Sequence, residues 1–514
     1  MTLGELIAGV GAVDGAGSDV EIVRLAYDSR AVRPGALFFC VPGFRSDGHD
    51  FAARALADGA VALVVERPLG LDAPEVLVPS VRAAMGPIAS RFEGDPSAAL
   101  RVVGVTGTNG KTTTAFLVRA LLEAVGLQTG LLGTVTSIVG GEEQPRDRGS
   151  TGCSIGQRTT PEAIDLQACL RAMLDGSDRA CAMEVSSHAL ELGRAGGIRF
   201  AAAVFTNLTQ DHLDFHPSME DYFLAKRLLF LPGEGAPPEV SVVNVGDPYG
   251  RRLAGELDGA RTFALDAPAD YSARDLRCDA TGCRFALHTP SGTREVTLPM
   301  PGRFNVANAL GALAAVHSLG FDLDILVEAL QEGVRVPGRF EPVDTGQDFA
   351  VLVDYAHTPD SLENVLCAAR DIAGGRRVIS VFGAGGDRDR GKRALMGEIS
   401  ARLADITLVT SDNPRSEEPA QIVAEIVTGI PPAALADGTV HVEVDRRAAI
   451  EQALSLAMPD DVVVIAGKGH EQGQEFAEGR KEPFDDMTVA RELLTARLDS
   501  PTGASERAST GTDR

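Results

Sequence analysis

From residue 101 onward the apolar positions fall into short continuous runs, each followed by a stretch of helical periodicity. RVVGVTG (101–107) reads as a buried strand and 112–125 as a helix. ACAMEVSS (180–187), AAAVFTN (201–207) and VSVVNVG (240–246) are further apolar strands, and helices are predicted over 161–174, 219–231 and 304–319. This alternation predicts a doubly wound α/β fold. It pauses at RVPGRFEPV (335–343), where Pro337 marks a boundary. It then resumes in FAVLVDYA (349–356), RRVISVFGAGG (376–386), DITLVTS (405–411) and VVVIAGKG (462–469), which predict a Rossmann-like α/β unit. Ahead of residue 99, GALFFCVPG (35–43), VALVVE (61–66) and EVLVP (75–79) predict short strands and 81–92 a helix, with EGDPSAAL (93–100) as linker. The expected organisation is three α/β domains, 1–98, 99–337 and 338–498, followed by a polar, disordered tail at 499–514.

The length of 514 residues suits about three domains. A net charge of −24 argues against a nucleic-acid partner; an anionic ligand would need a local concentration of cations and helix N-termini. Seven cysteines without a C-x-x-C predict reduced thiols, with neither a disulfide framework nor a zinc site. The N-terminus lacks a signal-peptide pattern, and there is no apolar run of about 20 residues. A cytoplasmic monomer without membrane contact is the expectation.

GVTGTNGKTTT (104–114) follows a strand and opens a helix. Its glycines free backbone N–H groups to face phosphate, Lys111 would reach the β- and γ-phosphates, and the Thr112 hydroxyl suits Mg²⁺. The match to G-x-x-x-x-G-K-[ST] is imperfect, because Val105 stands where that pattern has glycine. The surrounding strand–loop–helix context still predicts nucleotide binding.

This loop resembles that of the Mur ligases, the ATP-dependent amino-acid ligases of peptidoglycan synthesis. TTPEAIDLQ, MEVSSHALELGR, FTNLTQDHLDFH, YFLAKRLLF, DYAHTPDSL, FGAGGDRDRGKR, SDNPRSEEP and GKGHE follow in the family's order. The resemblance implies a UDP-binding N-terminal domain, a central P-loop ATPase-like domain and a C-terminal Rossmann-like, amino-acid-binding domain. Among family members, the motifs resemble those that add the third peptide residue to UDP-MurNAc-L-Ala-D-Glu. ATP would activate a carboxylate as an acyl phosphate, with Mg²⁺ as cofactor, and an amine would then attack it.

The resemblance assigns ATP to Gly107, Thr108, Asn109, Gly110, Lys111, Thr112 and Thr113, together with Asn305, Arg339, Asp354 and His357. It assigns Mg²⁺ to Thr112, Glu184, His212 and Lys226, the last as an N6-carboxylysine. Lys111, Glu184, His212 and Lys226 would be catalytic. A lysine near metal ions would repel them, whereas a carbamate formed on its neutral amine could ligate them, and burial favours the neutral amine. Read without the resemblance, Lys226 beside Arg227 is a solvated helix face. The nucleotide-peptide would contact Tyr27, Ser29, Phe44, Arg45, Ser46, Thr159, Thr160, Ser186 and Arg194. Thr159 and Thr160 also read as a helix start before Pro161, and 142–158, which matches the family poorly, as a mobile loop. In DYAHTPDSL a helix cap explains Thr358 and Asp360 equally well.

SDNPRSEEP raises the question of why an arginine follows a rigid proline among acids. Meso-diaminopimelate differs from lysine by a second amino-acid centre with an extra carboxylate. Arginine supplies a planar fork for that carboxylate, Pro414 rigidity, and Asp412 and Asn413 partners for the ammonium. Arg388, Gly467 and Glu471 are the further contacts that the resemblance implies for this substrate. Glu417 and Glu418 read simply as acids opening the next helix. Two other readings compete: folylpolyglutamate synthase chemistry, and a nucleotide-driven switch without ligase activity.

Overall fold

The structure is a computed structural model that describes every residue except 11, 14–16, 44–45, 145–157, 234, 280 and 500–514. Three sheets organise it. The first runs, in spatial order, Ala12–Val13, Glu75–Leu77, Ala60–Val65, Ala36–Phe39 and Arg24–Ala26, parallel except at the first pair. The third runs Glu341–Pro342, Ala350–Asp354, Val462–Ala466, Val378–Phe382, Ile406–Val409 and Val440–Val442, again antiparallel only at its first pair.

The middle sheet has eleven strands, with Arg101–Thr106 between Phe200–Phe205 and Ala180–Glu184. Its parallel strands are buried on both faces, which is why they read as unbroken apolar runs. Val103, Val105, Ala182 and Val204 face one core, closed by the helices Lys111–Ala124 and Arg303–Ser318. Val102, Cys181, Met183 and Phe205 face the other, under Ala163–Asp175 and Met219–Arg227. The helix Val81–Phe92 occupies the predicted residues, and the predicted helix over 219–231 ends at Arg227.

Three features depart from the sequence reading. Tyr271–Asp279, Gly282–Thr289 and Gly292–Leu298 form an antiparallel meander on one edge of the middle sheet, where nothing was predicted. The turn between its first two strands sets Cys278 opposite Cys283, Cα atoms 4.1 Å apart and the sulfurs bonded. The expectation of free thiols is therefore corrected there, because a C-x4-C spacing brackets a tight turn. Finally, Glu142 and Glu143 pair with Val139 and Ile138 as an edge strand, so the stretch read as a mobile loop begins in the sheet; its residues 145–157 lie outside the described ones. Of the tail read as disordered, Asp499 closes the helix Asp486–Asp499, and 500–514 lie outside the described residues.

The N-terminal unit docks by backbone contact. A Cβ on Gly86, inside Val81–Phe92, would collide with the carbonyl of Gly196, and one on Gly197 would lie 2.8 Å from the carbonyl of Gly86. Gly86→Val is therefore expected to lower the melting temperature, at a cost of about 1–3 kcal/mol for an overpacked contact. An unchanged melt would show that this contact is dispensable.

Candidate active site

The strand Arg101–Thr106 ends at Gly107, and the helix Lys111–Ala124 begins after Gly110. Both glycines have positive φ, 149° and 84°. Side chains there would collide with Thr206 Oγ1 and Asn308 Oδ1. Val105 is fully buried in the strand, so the phosphate loop starts two residues later than the general pattern requires. Lys111 folds back on the loop, its Nζ donating to the carbonyls of Gly107 (2.9 Å) and Thr108 (2.8 Å). Burial lowers its pKa, opposed by Glu184 and Asp211.

Around the loop lies a cavity of about 260 Å³. Its lining includes Thr108, Asn109, Gly110, Lys111, Thr112 and Thr113 from the loop and helix, and Thr159, Glu184, Ser186, His212 and Lys226 from the rest of the middle unit. Arg339, Asp354 and His357 line it from the third unit. Most of the residues assigned to ATP and metal are thus brought together, from segments up to about 250 residues apart in sequence.

Glu184 ends its strand beside Val105, and its carboxylate accepts from the Thr134 N–H (2.7 Å) and Oγ1 (3.1 Å). The Thr134 hydroxyl also bonds Thr159 Oγ1 at 3.0 Å. Lys226 is not on a solvated face. It is 1 % exposed, donates to the Gly107 carbonyl at 2.8 Å and stands 4.6 Å over the Tyr222 ring. Burial, reinforced by Lys111, pushes its pKa far down. His212 has φ 55° and is likewise held neutral by burial, against the pull of Asp211. Burial would raise Asp211, but His212, His357 and Lys392 outweigh it and keep it ionised.

At the third unit's edge, Arg339 donates to Thr112 Oγ1 (3.0 Å) and lies 4.6 Å over the Tyr355 ring. Burial raises Asp354 to about 6, although Arg339 opposes it, and its Oδ2 accepts the Phe340 N–H. His357 is half-buried and bonded through Nδ1 to the Tyr355 carbonyl. Thr358 is the helix cap, in a capping box with Ser361, whereas Asp360 reaches across to Asn109 Nδ2 at 2.6 Å.

Asn305 does not line the cavity: its amide bonds the Pro301 carbonyl and Asn308. Asn308, one turn on, does line it. Thr160 does not cap the following helix, whose N-cap is Glu162. Its hydroxyl joins the Glu184 carbonyl (2.9 Å) and the Ser186 N–H (3.2 Å), while Arg194 reaches the Thr160 carbonyl and Glu162. Tyr27 donates to Asp165 at 2.6 Å, Ser29 opens a short 3-10 turn, and Ser46 is exposed; none of the three lines the cavity. Phe44 and Arg45 lie outside the described residues.

A second cluster follows the strand Ile406–Val409. Asp412 and Asn413 are buried around Lys468, a fully buried ammonium that the sequence reading passed over. Its Nζ lies 2.9 Å from Asn413 Oδ1, 3.2 Å from Glu471 and 3.5 Å from Asp412. Gly467 (φ 121°) lets Asp412 approach, since a Cβ there would lie 3.2 Å from its Oδ2. The Pro414 carbonyl abuts Gly386, where a Cβ would collide with it. Arg415 has φ 52° and an Nη1 bond to the Gly386 carbonyl at 2.8 Å; Arg388 is exposed beside it. Lys392, also missed, stands between the clusters: burial lowers its pKa, and both Asp211 and Asp412 raise it.

Glu417 corrects the helix-start reading. The fully buried Arg393 grips it bidentately, at 2.8 and 2.9 Å, and it accepts the Asp387 N–H. Glu418 is the N-cap residue of Pro419–Val427.

Three family profiles match the chain: "Mur ligase family, catalytic domain" over residues 21–93, "Mur ligase middle domain" over 105–316, and "Mur ligase, glutamate ligase domain" over 338–469. The chain belongs to the Mur ligase family. A relative from Syntrophomonas wolfei subsp. wolfei, the UDP-N-acetylmuramoyl-L-alanyl-D-glutamate–2,6-diaminopimelate ligase, is 45% identical over 483 residues, covering 93% of this chain and 96% of its own. A solved structure of a protein of that name is 33% identical with a TM-score of 0.70, covering 97% of this chain and 100% of its own. The MurF ligase of Thermotoga maritima in complex with ADP, at 19% identity, TM-score 0.61 and coverages of 93% and 98%, shares the fold.

The Glu417–Arg393 bond gives an acid-side prediction. Glu417 is lowered from 4.5 to about 2 by hydrogen bonds from Arg393, against a smaller cost of burial. A depressed carboxylate stabilises the fold above the unfolded value, and this is lost as pH falls through the folded one. The pair should therefore contribute on the order of 3 kcal/mol, less solvent screening, that disappears between about pH 4.5 and 2. Glu417→Gln should flatten that part of the stability–pH curve; an identical curve would refute it.

Proposed function

We propose that this chain is the ADP-forming ligase that adds meso-diaminopimelate to UDP-N-acetylmuramoyl-L-alanyl-D-glutamate. The observation that carries the reaction class is the convergence of Lys111, Lys226, Glu184 and Arg339 on one cavity around a phosphate loop. ATP occupies that loop. The dipeptide carboxylate attacks the γ-phosphorus, forming an acyl phosphate and releasing ADP; the amine then attacks the acyl carbon and phosphate leaves. Lys111, freed from its carbonyls, is positioned to meet the phosphates, and burial makes its charge effective. Arg339 and His357 approach the nucleotide from the third unit, so closure of that unit completes the site.

The residues fit a hard cation. Among the described residues no three His, Cys, Asp or Glu side chains converge on one point. Glu184, the Thr112 hydroxyl and neutral His212 nevertheless face one cavity with Lys226. A buried, neutral Lys226 amine can add CO₂, forming an N–C bond and losing a proton, which turns a repelling cation into an oxygen ligand. Mg²⁺ held there would neutralise the charge of the phosphates.

Asp412, Asn413 and Glu471, organised by Lys468, face the ammonium of the incoming amino acid, and Arg415 its distal carboxylate. A site whose arginine fork is oriented for a carboxylate discriminates against the analogue that lacks it. Cytoplasmic action on soluble precursors follows from this reading, and no helix among the described residues is long and apolar enough to cross a membrane.

Phosphate release should require the nucleotide-dipeptide and diaminopimelate together, with lysine and ornithine poor substitutes. Release indifferent to both would leave a nucleotide switch. Arg415→Ala should raise the diaminopimelate KM at least about tenfold without changing that for ATP. Lys226→Ala should cost at least about 100-fold in kcat, the scale of a lost electrostatic group, with no rescue by bicarbonate; a fully active variant would refute the carbamate.

A further inference from the structure

The chain after GKGHE forms a two-stranded ribbon, Gly473–Glu475 against Lys481–Pro483. Its first strand lies along the Asp412–Arg415 loop and touches it through Glu475 in three ways. The Glu475 N–H donates to Asn413 Oδ1 at 2.9 Å. The Glu475 carbonyl accepts the Arg415 N–H at 2.9 Å, beside a parallel bridge between Arg415 and Phe476. The Glu475 carboxylate accepts from Arg415 Nε at 3.1 Å. With Nη1 on the Gly386 carbonyl, the guanidinium is held at two corners. Among the described residues, Nη2 has no protein partner. Its two N–H groups are thus left over for a ligand, beside the second N–H of Nη1.

We infer that Glu475 is a positioning residue for amino-acid selection: its carboxylate orients the Arg415 guanidinium so that Nη2 meets the distal carboxylate of the incoming amino acid. This rests on the reading of Arg415 given under Proposed function. Arginine has long rotamer freedom, and a guanidinium fixed in advance loses less on binding. The main-chain bonds do not involve the Glu475 side chain, so its truncation removes the orientation of the guanidinium and leaves the loop in place. The carboxylate is about one-third exposed, so its removal leaves no buried void.

The test is steady-state phosphate release by the full-length enzyme and its Glu475→Ala, Glu475→Gln, Arg415→Ala and double Arg415→Ala/Glu475→Ala variants. Glu475→Ala should raise the KM for diaminopimelate about tenfold, the scale of one loosened charge-assisted hydrogen bond, with kcat and the KM for ATP within about twofold. Glu475→Gln keeps an acceptor for Nε and should recover to within about threefold of the parent. In the Arg415→Ala background, the loss of Glu475 should add nothing. An unchanged diaminopimelate KM in Glu475→Ala, beside a raised one in Arg415→Ala, would overturn this inference alone. A lowered KM would also overturn it, showing Glu475 to be a competitor for the guanidinium. Unchanged kinetics in Arg415→Ala would instead sink the assignment of Arg415 itself.

Discussion

Two lysine amines meet at one oxygen. Lys111 and Lys226 both donate to the carbonyl of Gly107, from the first turn of one helix and the last turn of another. Their nitrogens are therefore within about 6 Å of each other, where two like charges repel by about 3 kcal/mol at an effective dielectric near 20. Burial adds to that cost, and it is Lys226 that yields, its pKa pushed far below the usual value. The arrangement depends on the Gly107 carbonyl turning into the cavity, which needs the positive φ that only glycine adopts easily. With Lys226 neutral, Lys111 and Arg339 share the cavity with Glu184, Asp211 and Asp354, so it has room for a cation beside a phosphate or a carbamate.

The same geometry explains why the clusters sit where they do. Glu184, Asp354, the loop after Val409 and Gly467 all stand at or just past the carboxyl ends of parallel strands, the edge at which α/β sheets place ligands. Two such edges, one from the middle sheet and one from the third, face each other. Asn109 to Asp360 and Thr112 to Arg339 already bridge them, and Lys392 feels a carboxylate from each side. A ligand bound at one edge therefore acts next to the cluster on the other.

The buried parallel strands were legible in the sequence because each is an unbroken apolar run, and the phosphate loop because glycine and lysine spacing follows from the backbone conformation itself. The meander over residues 271–298 was not, since its strands are partly exposed and carry mixed polar positions with no helix between them. At the site, the residues with unusual chemistry for their neighbourhood stood out: Glu184 in an apolar run and Arg415 after proline. Lys226 was misjudged from its own segment because its burial comes from a loop more than a hundred residues away. Lys468 and Arg393 escaped for the same reason, their partners being on other loops. Asn308 was passed over for Asn305 because one helical turn cannot be resolved without knowing which face meets Gly110.

Selection by the second cluster has to come from geometry. Asp412, Glu471 and Glu475 are matched by Lys468, Arg415 and the exposed Arg388 beside it, so net charge alone does not favour either amino acid. Diaminopimelate gains only if its extra carboxylate finds a donor already aimed at it. On the proposed reading Arg415 supplies that donor at a local cost: a left-handed φ is worth roughly 1–2 kcal/mol against a residue with a Cβ. The ribbon bonds to its N–H and the close seat of Pro414 on Gly386 offset this strain. A relaxed backbone would carry the guanidinium elsewhere and leave a distal carboxylate without its donor. On that reading, the strained residue is the means by which a pocket with no net charge preference tells the two amino acids apart.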